Sequence, residues 1–278
     1  MTAIASGRLC FGFPIHSDTS ALYAPSRSGG SWNSSDDLKL SNMGDRRLSK
    51  VARSTSAALA STQWETDLKL ARDIGVLACL VPNATTSALI RRRASSSAGS
   101  FGSPIYDSGW LSLWPSGVTL EDVETANGIR MNVWHTLVPS NTQNARYWLT
   151  EIDDTANPDG YVNVARDVIA GIYQPAYNFN EGATTAIDDM SILTDSDGSA
   201  IIFQEKQRRR IDAFRVNHLT QAETFANVRK MHRLLGKTGQ VHFVTDSADT
   251  TLMYERAYLG RLKELGALEY AYIDRMHT

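Results

Sequence analysis

Residues 146–175 read RYWLTEIDDTANPDGYVNVARDVIAGIYQP. Successive side chains of an extended chain point to opposite sides, so Trp148, Thr150 and Ile152 fall on one face and Tyr147, Leu149 and Glu151 on the other. Asp153, Asp154, Asn157, Pro158, Asp159 and Gly160 follow, each able to accept a local backbone bond or fix a turn dihedral. Beyond them Val162 and Val164, then Val168, Ala170 and Ile172, alternate again, and Gly171 marks a bulge or a close backbone approach. Two strands and a turn with almost no catalytic equipment describe a β protein built to pack and to display.

The same period extends outward. Residues 63–70 (QWETDLKL) set Trp64, Thr66, Leu68 and Leu70 against Glu65, Asp67 and Lys69, a half-buried strand. Residues 74–81 (IGVLACLV) are continuously apolar and stop at Pro82-Asn83, which predicts a central strand covered on both faces. Residues 89–95 (LIRRRAS) read as the next edge strand, with Arg92 opposed to Arg91 and Arg93. Residues 17–62 are rich in Ser, Asn, Asp, Gly and Arg and read mostly as loop, with Trp32 as an anchor and a Ser/Thr-rich strand expected over 47–60. Near the C-terminus, Thr220 and Glu223 form a capping-box pattern. A helix with Ala222, Phe225, Ala226, Val228, Met231, Leu234 and Leu235 on its apolar side follows, ended by Gly236. Residues 241–245 read as a strand, and Tyr258-Leu259-Gly260 with Leu268, Tyr270 and Tyr272 as a closing hairpin.

Composition removes several classes of function. With 278 residues and 42% hydrophobic content the chain buries a real core, and 28 basic against 30 acidic residues leave a formal charge of −2. Such a balance supplies no overall pull toward nucleic acid. The arginine runs at 91–93 and 208–210 lack stacking aromatics at regular spacing, so they read as solvated strand or salt-bridge surface. Cys10 and Cys79 are too few for a disulfide scaffold and read as buried thiols. The N-terminal stretch has no basic region before an apolar run, and no segment approaches the ~18 apolar residues of a membrane span, so a soluble, unexported chain is expected.

Enzymatic signatures are equally sparse. The six histidines show no H-x-x-x-H or H-E-x-x-H spacing, and no G-x-S-x-G, P-loop or dinucleotide fingerprint is present. No cofactor is expected. Asp153, Asp154, Asn157 and Asp159 are calcium candidates, because a turn dense in hard oxygens suits that ion, although EF-hand spacing fails. Trp110 and Trp114, in YDSGWLSLWPSG, are candidate carbohydrate-binding residues: sugar C–H bonds pack on an indole face, although any single Trp is more commonly a core filler.

Several of these stretches together resemble the galactose-binding-like β-sandwich of tail-tip and baseplate proteins (minor tail proteins) of tailed bacteriophages. The resemblance is carried by the apolar strand running into Pro82-Asn83 with Ala88 and Arg91 after it, Arg146-Tyr147-Trp148, Asp154 with residues 157–161, and Gly171 with Gln174-Pro175 and Asn178. It implies a mainly β fold, a jelly roll of two antiparallel sheets over 25–190. An N-terminal segment, 1–24, precedes it and a small α+β domain, 191–278, follows. It further implies a structural component of the virion tail, made in the host cytoplasm and acting in tail assembly and host attachment. No catalytic activity goes with it. The partners would be tube, hub and neighbouring copies in a homo-oligomer, with a host surface glycan as a further partner, and without nucleic acid or membrane insertion. A carbohydrate-binding, lectin-like receptor module is the alternative, and a glycan depolymerase the third reading.

Overall fold

The alternating runs assemble into two antiparallel sheets laid face to face. The computed structural model describes residues 1–19, 21–124, 131–195, 201–206, 208–272 and 275–277. One sheet has five strands, in the order Ser26–Ser28, Gln63–Ile74, Gln143–Asp153, Leu89–Ser95 and Tyr106–Ser112. The other has six, in the order Ala257–Arg261, Gln240–Val244, Cys10–Ile15, Arg166–Tyr173, Val76–Leu80 and Trp134–Leu137. The mainly β class expected from the sequence is what the chain adopts.

The core follows from the period. Trp64, Ile90 and Ile152 of the five-stranded sheet meet Cys79 of the six-stranded one, and Leu68, Ala94 and Trp148 meet Leu77 and Ile169. Trp64 and Trp148 are fully buried, and each such burial contributes about 2 kcal/mol or more. Val76–Leu80 is buried along its whole length, as its unbroken apolar run requires. Both cysteines are buried, and burial pushes the Cys79 thiol up to about 12, so it is an inert core group. Leu70 departs from the expected alternation and is exposed. The pairing register slips between Asp67 and Arg72, and Lys69 takes a positive φ of 67° there, which turns the following side chains out.

The opening stretch does not form a hairpin. Gln143–Asp153 lies in one sheet and Arg166–Tyr173 in the other, so the Asp/Asn-rich turn carries the chain from layer to layer. On the way Asn163–Val164 pairs with Ala52–Arg53, the short strand that replaces the longer one expected over 47–60. Gly171 fulfils its reading as a close approach: a Cβ there would lie 3.0 Å from the Phe13 carbonyl oxygen, opposite a register shift in Cys10–Ile15. Leu89–Ser95 is not an edge strand; it is flanked by Gln143–Asp153 and Tyr106–Ser112.

The six-stranded sheet runs across the boundaries drawn at residues 24 and 190. Cys10–Ile15 is hydrogen-bonded between Arg166–Tyr173 and Gln240–Val244, joining the two ends of the chain to its middle. Ala257–Arg261 pairs with Gln240–Val244 and not with the Tyr270 segment, so the expected closing hairpin does not form. The helix comprises Gln221–Glu223, a π-helical turn over Thr224–Val228, and Arg229–Leu235. Its buried residues are Thr224, Val228 and Met231, while Leu234 is 57% exposed. The wider π turn rotates the buried stripe away from the one a regular 3.6-residue repeat predicts. Thr220 accepts from the Glu223 N–H, but the Glu223 carboxylate accepts from the Tyr173 hydroxyl and the Ala176 N–H and leaves the capping box half made.

Candidate functional site

An ion pair is enclosed between the two sheets. Arg92 alternates inward between Arg91 and Arg93, and its guanidinium donates to Asp167 Oδ1 at 2.6 Å, Thr150 Oγ1 at 2.5 Å and the Ala78 carbonyl at 3.2 Å. Trp64 Nε1 donates to the other Asp167 oxygen at 3.1 Å. Arg92, Trp64 and Thr150 belong to the five-stranded sheet, Asp167 and Ala78 to the six-stranded one. The cluster therefore pins the two layers in register, with Arg92 1% and Asp167 0% exposed. A fully enclosed pair of this kind has no access to a ligand, and its role is structural.

Trp110 and Trp114 part company. Trp114 is 4% exposed, donates its indole N–H to the Val118 carbonyl at 2.7 Å and packs with Val123 and Val133. It fills a core and offers no sugar platform, which corrects the paired reading. Trp110 is 39% exposed on the outer edge strand of the five-stranded sheet. It stands directly opposite Arg91, whose guanidinium carbon lies 6.0 Å from its ring centre. Gly109, at φ 65°, and Ser108 absorb a register shift between Arg91 and Arg93, and this bulge fixes Trp110 beside Arg91.

Around Trp110 the outer face is polar. Arg91 makes a forked pair with Asp107, with Nε to Oδ1 at 2.9 Å, and Asp107 Oδ1 also accepts from the Gly109 N–H. The Arg91 bonds hold the Asp107 carboxyl below the usual carboxylate range. Next to Arg91, Arg93 binds Glu151 at 2.8 Å. An exposed indole, two guanidinium groups and two carboxylates thus share one surface. Sequence reading found the indole but missed Arg91 and Asp107; the available signal was the Asp-x-Gly-Trp spacing, which places a carboxylate and a bulge before the ring.

The Asp153–Asp159 turn is a hydrogen-bonded clamp. Asp154, 3% exposed, accepts from the Thr85 hydroxyl and N–H and from the Asn157 amide at 2.7 Å. Asn157 also donates to the Asn83 carbonyl, and Asn83 donates to Asp159 Oδ2 at 2.9 Å. Asp153 accepts from Thr155. Donors of the chain itself occupy the oxygens that a calcium ion would need, which argues against the calcium reading. Among the described residues no group of three or more His, Cys, Asp or Glu is placed to share a metal ion.

No family model and no curated protein matches this sequence. Among solved structures, the chain is similar to a family 32 carbohydrate-binding module from a family 31 glycoside hydrolase of Clostridium perfringens (13% identity, TM-score 0.37, covering 52% of this chain and 93% of that one). It is also similar to the family 32 module of C. perfringens NanJ in complex with galactose (11% identity, TM-score 0.37, covering 54% and 93%). A third is a fucolectin from striped bass serum (11% identity, TM-score 0.36, covering 59% and 53%). Likeness at this level carries no argument about a ligand, and the sandwich rests on its own two sheets.

Proposed function

We propose that this chain is a non-catalytic carbohydrate-binding module that receives a neutral sugar on the outer face of its five-stranded sheet. The observation that carries the reading is Trp110, exposed on an edge strand and fixed by a bulge beside the Arg91–Asp107 pair. The indole face packs against the C–H side of a pyranose, while guanidinium and carboxylate groups exchange hydrogen bonds with its hydroxyls. Arg91 and Asp107 hold each other in place before a ligand arrives, which lowers the ordering cost of binding.

The test is a glycan array probed with the wild-type chain and with Trp110→Ala and Trp114→Phe. The reading expects binding that Trp110→Ala abolishes and Trp114→Phe preserves. A wild-type chain that binds no glycan, or whose binding survives Trp110→Ala, overturns it.

The place of the module is proposed on the sequence resemblance: the tail tip of a bacteriophage particle, in contact with neighbouring tail proteins and further copies of itself. Quantitative mass spectrometry of purified particles tests that location. A fixed low copy number supports it, and absence from the particle contradicts it while leaving the sugar-binding reading intact.

A further inference from the structure

A second feature lies on the opposite side of the six-stranded sheet. That sheet is strongly coiled: Trp134, on one edge strand, meets His242, near the other edge, with ring centres 5.3 Å apart. Gly12 makes the coiling possible, because a Cβ there would lie 3.0 Å from the His242 Cβ. Over this face projects an arm of two paired ladders, Thr184–Asp188 with Arg209–Ala213 and Ile192–Asp195 with Ile201–Gln204. Between the arm and the coiled sheet is a cavity of about 540 Å³. Its size lies within the range of small-ligand pockets.

Its charge is one-sided. Lys206, Arg208, Arg209 and Arg210 from the arm and Arg261 from the sheet edge line it, and its wall holds no carboxylate among the described residues. Two of the five cations have partners: Arg208 pairs with Asp189 at 3.3 Å and Arg210 with Glu255 at 3.1 Å. Arg210 is locked further by the Tyr254 and Glu255 carbonyls, both at 2.9 Å. The arm carboxylate Asp212 accepts from the Tyr258 hydroxyl. Lys206, Arg209 and Arg261 make no side-chain ion pair or hydrogen bond among the described residues. Trp134 and Leu259 supply an apolar floor.

We infer that this cavity is a binding site for a compact ligand bearing more than one oxyanion group, carboxylate, sulfate or phosphate. Lys206, Arg209 and Arg261 line the volume without a bonded partner among the described residues, and its wall holds no carboxylate among them. Mutual repulsion raises their cost until an anion enters, and guanidinium groups meet oxyanions through paired, charge-assisted N–H bonds. The arm narrows the site to a pocket, which favours a compact ligand over a polymer lying across a surface. The cavity is separate from the Trp110 face, whose residues do not line it.

Calorimetric titration of the full chain tests it, with inorganic pyrophosphate, a disulfated disaccharide, the same disaccharide without sulfate, and a twelve-nucleotide single-stranded DNA as probes. At least one of the two compact anions is expected to bind, with affinity that falls as salt rises. The unsulfated sugar is expected to leave this site empty. Arg209→Gln and Arg261→Gln are each expected to weaken binding about tenfold, the scale of one lost charge-assisted hydrogen bond, while Trp110→Ala leaves it unchanged. Both arginines are exposed, and equal urea midpoints for variants and wild type verify the fold. Tighter binding of the disaccharide marks a sugar-borne anion as the ligand, and tighter binding of pyrophosphate marks a free one. Failure of both compact anions to bind, binding unchanged in the two variants, or binding of the oligonucleotide alone overturns the inference.

Discussion

Arginine appears in runs at 91–93 and at 208–210, and the two runs are handled in opposite ways. In the first, strand alternation sends Arg92 into the core, where Asp167, Thr150 and the Ala78 carbonyl receive its donors. In the second, the run lies at the base of an arm over a cavity, and Arg209 makes no side-chain ion pair or hydrogen bond among the described residues. A guanidinium enclosed with acceptors for both of its terminal nitrogens is a structural pin. One exposed beside a cavity, with no bonded carboxylate among the described residues, is the group we infer to receive an anion. The same residue triplet thus acquires its role from the element that carries it.

The largest expected effect breaks the pin. Asp167→Ala leaves Arg92 enclosed without its counter-ion and is expected to cost about 3–5 kcal/mol in urea unfolding. Removing both charges together, as Arg92→Met with Asp167→Leu, is expected to recover much of that loss. A cost under about 1 kcal/mol for the single change would show that water reaches Arg92 and would erase the contrast.

Asp154→Ala is next, at about 2 kcal/mol, because the Thr85 and Asn157 donors lose a buried charged acceptor. Added millimolar calcium is expected to leave the wild-type melting temperature unchanged. A calcium-dependent rise would mean that the clamp opens for the ion.

A buried histidine gives an effect of similar size that depends on pH. His242 is fully buried, with its Nε2 2.9 Å from the Thr136 hydroxyl, and burial lowers it from 6.5 to about 3. Between those values the unfolded chain binds a proton that the folded chain does not. Its contribution is therefore complete above pH 6.5 and is lost as the pH falls toward 3. From pH 7.5 to pH 5 the loss is about 2 kcal/mol. His242→Gln is expected to remove about that much of the pH dependence, the remainder belonging to His135 and His16, which burial lowers to about 3 and about 4; an unchanged slope would show that His242 titrates normally.

The smallest effect tests the surface. Arg91→Ala is expected to change stability by less than about 1 kcal/mol, as for other exposed pairs, yet to weaken glycan binding on an array. A large loss of stability would make Arg91 a second pin and not a binding group.

The layered β architecture was legible because strand alternation writes burial directly into the sequence: Trp64, Trp148, Ile152 and the inward Arg92 all follow from parity. Pairing across distance was not. Nothing local in Cys10–Ile15 announces that it joins Arg166–Tyr173 to Gln240–Val244, since a short apolar strand fits any sheet interior. The helix stripe was misplaced because a π turn leaves no period of its own. Trp110 and Trp114 differ by burial, which depends on Val118, Val123 and Val133 packing around one of them, and composition is blind to that. The cavity needed the arm, the coiled sheet and the edge strand in one place, so its cations read as scattered surface charge.

The six tryptophans offer one measurement that tests the whole account. In a ¹H–¹⁵N spectrum each indole N–H is a separate reporter: Trp110 on the outer face, Trp134 at the cavity floor, Trp32 packed against the core, and Trp64, Trp114 and Trp148 within it. Titration with the neutral glycan found on the array is expected to shift the Trp110 indole signal and to leave Trp64, Trp114, Trp134 and Trp148 in place. A Trp110 signal that stays fixed while the glycan binds would contradict the placement of the sugar site on the five-stranded sheet.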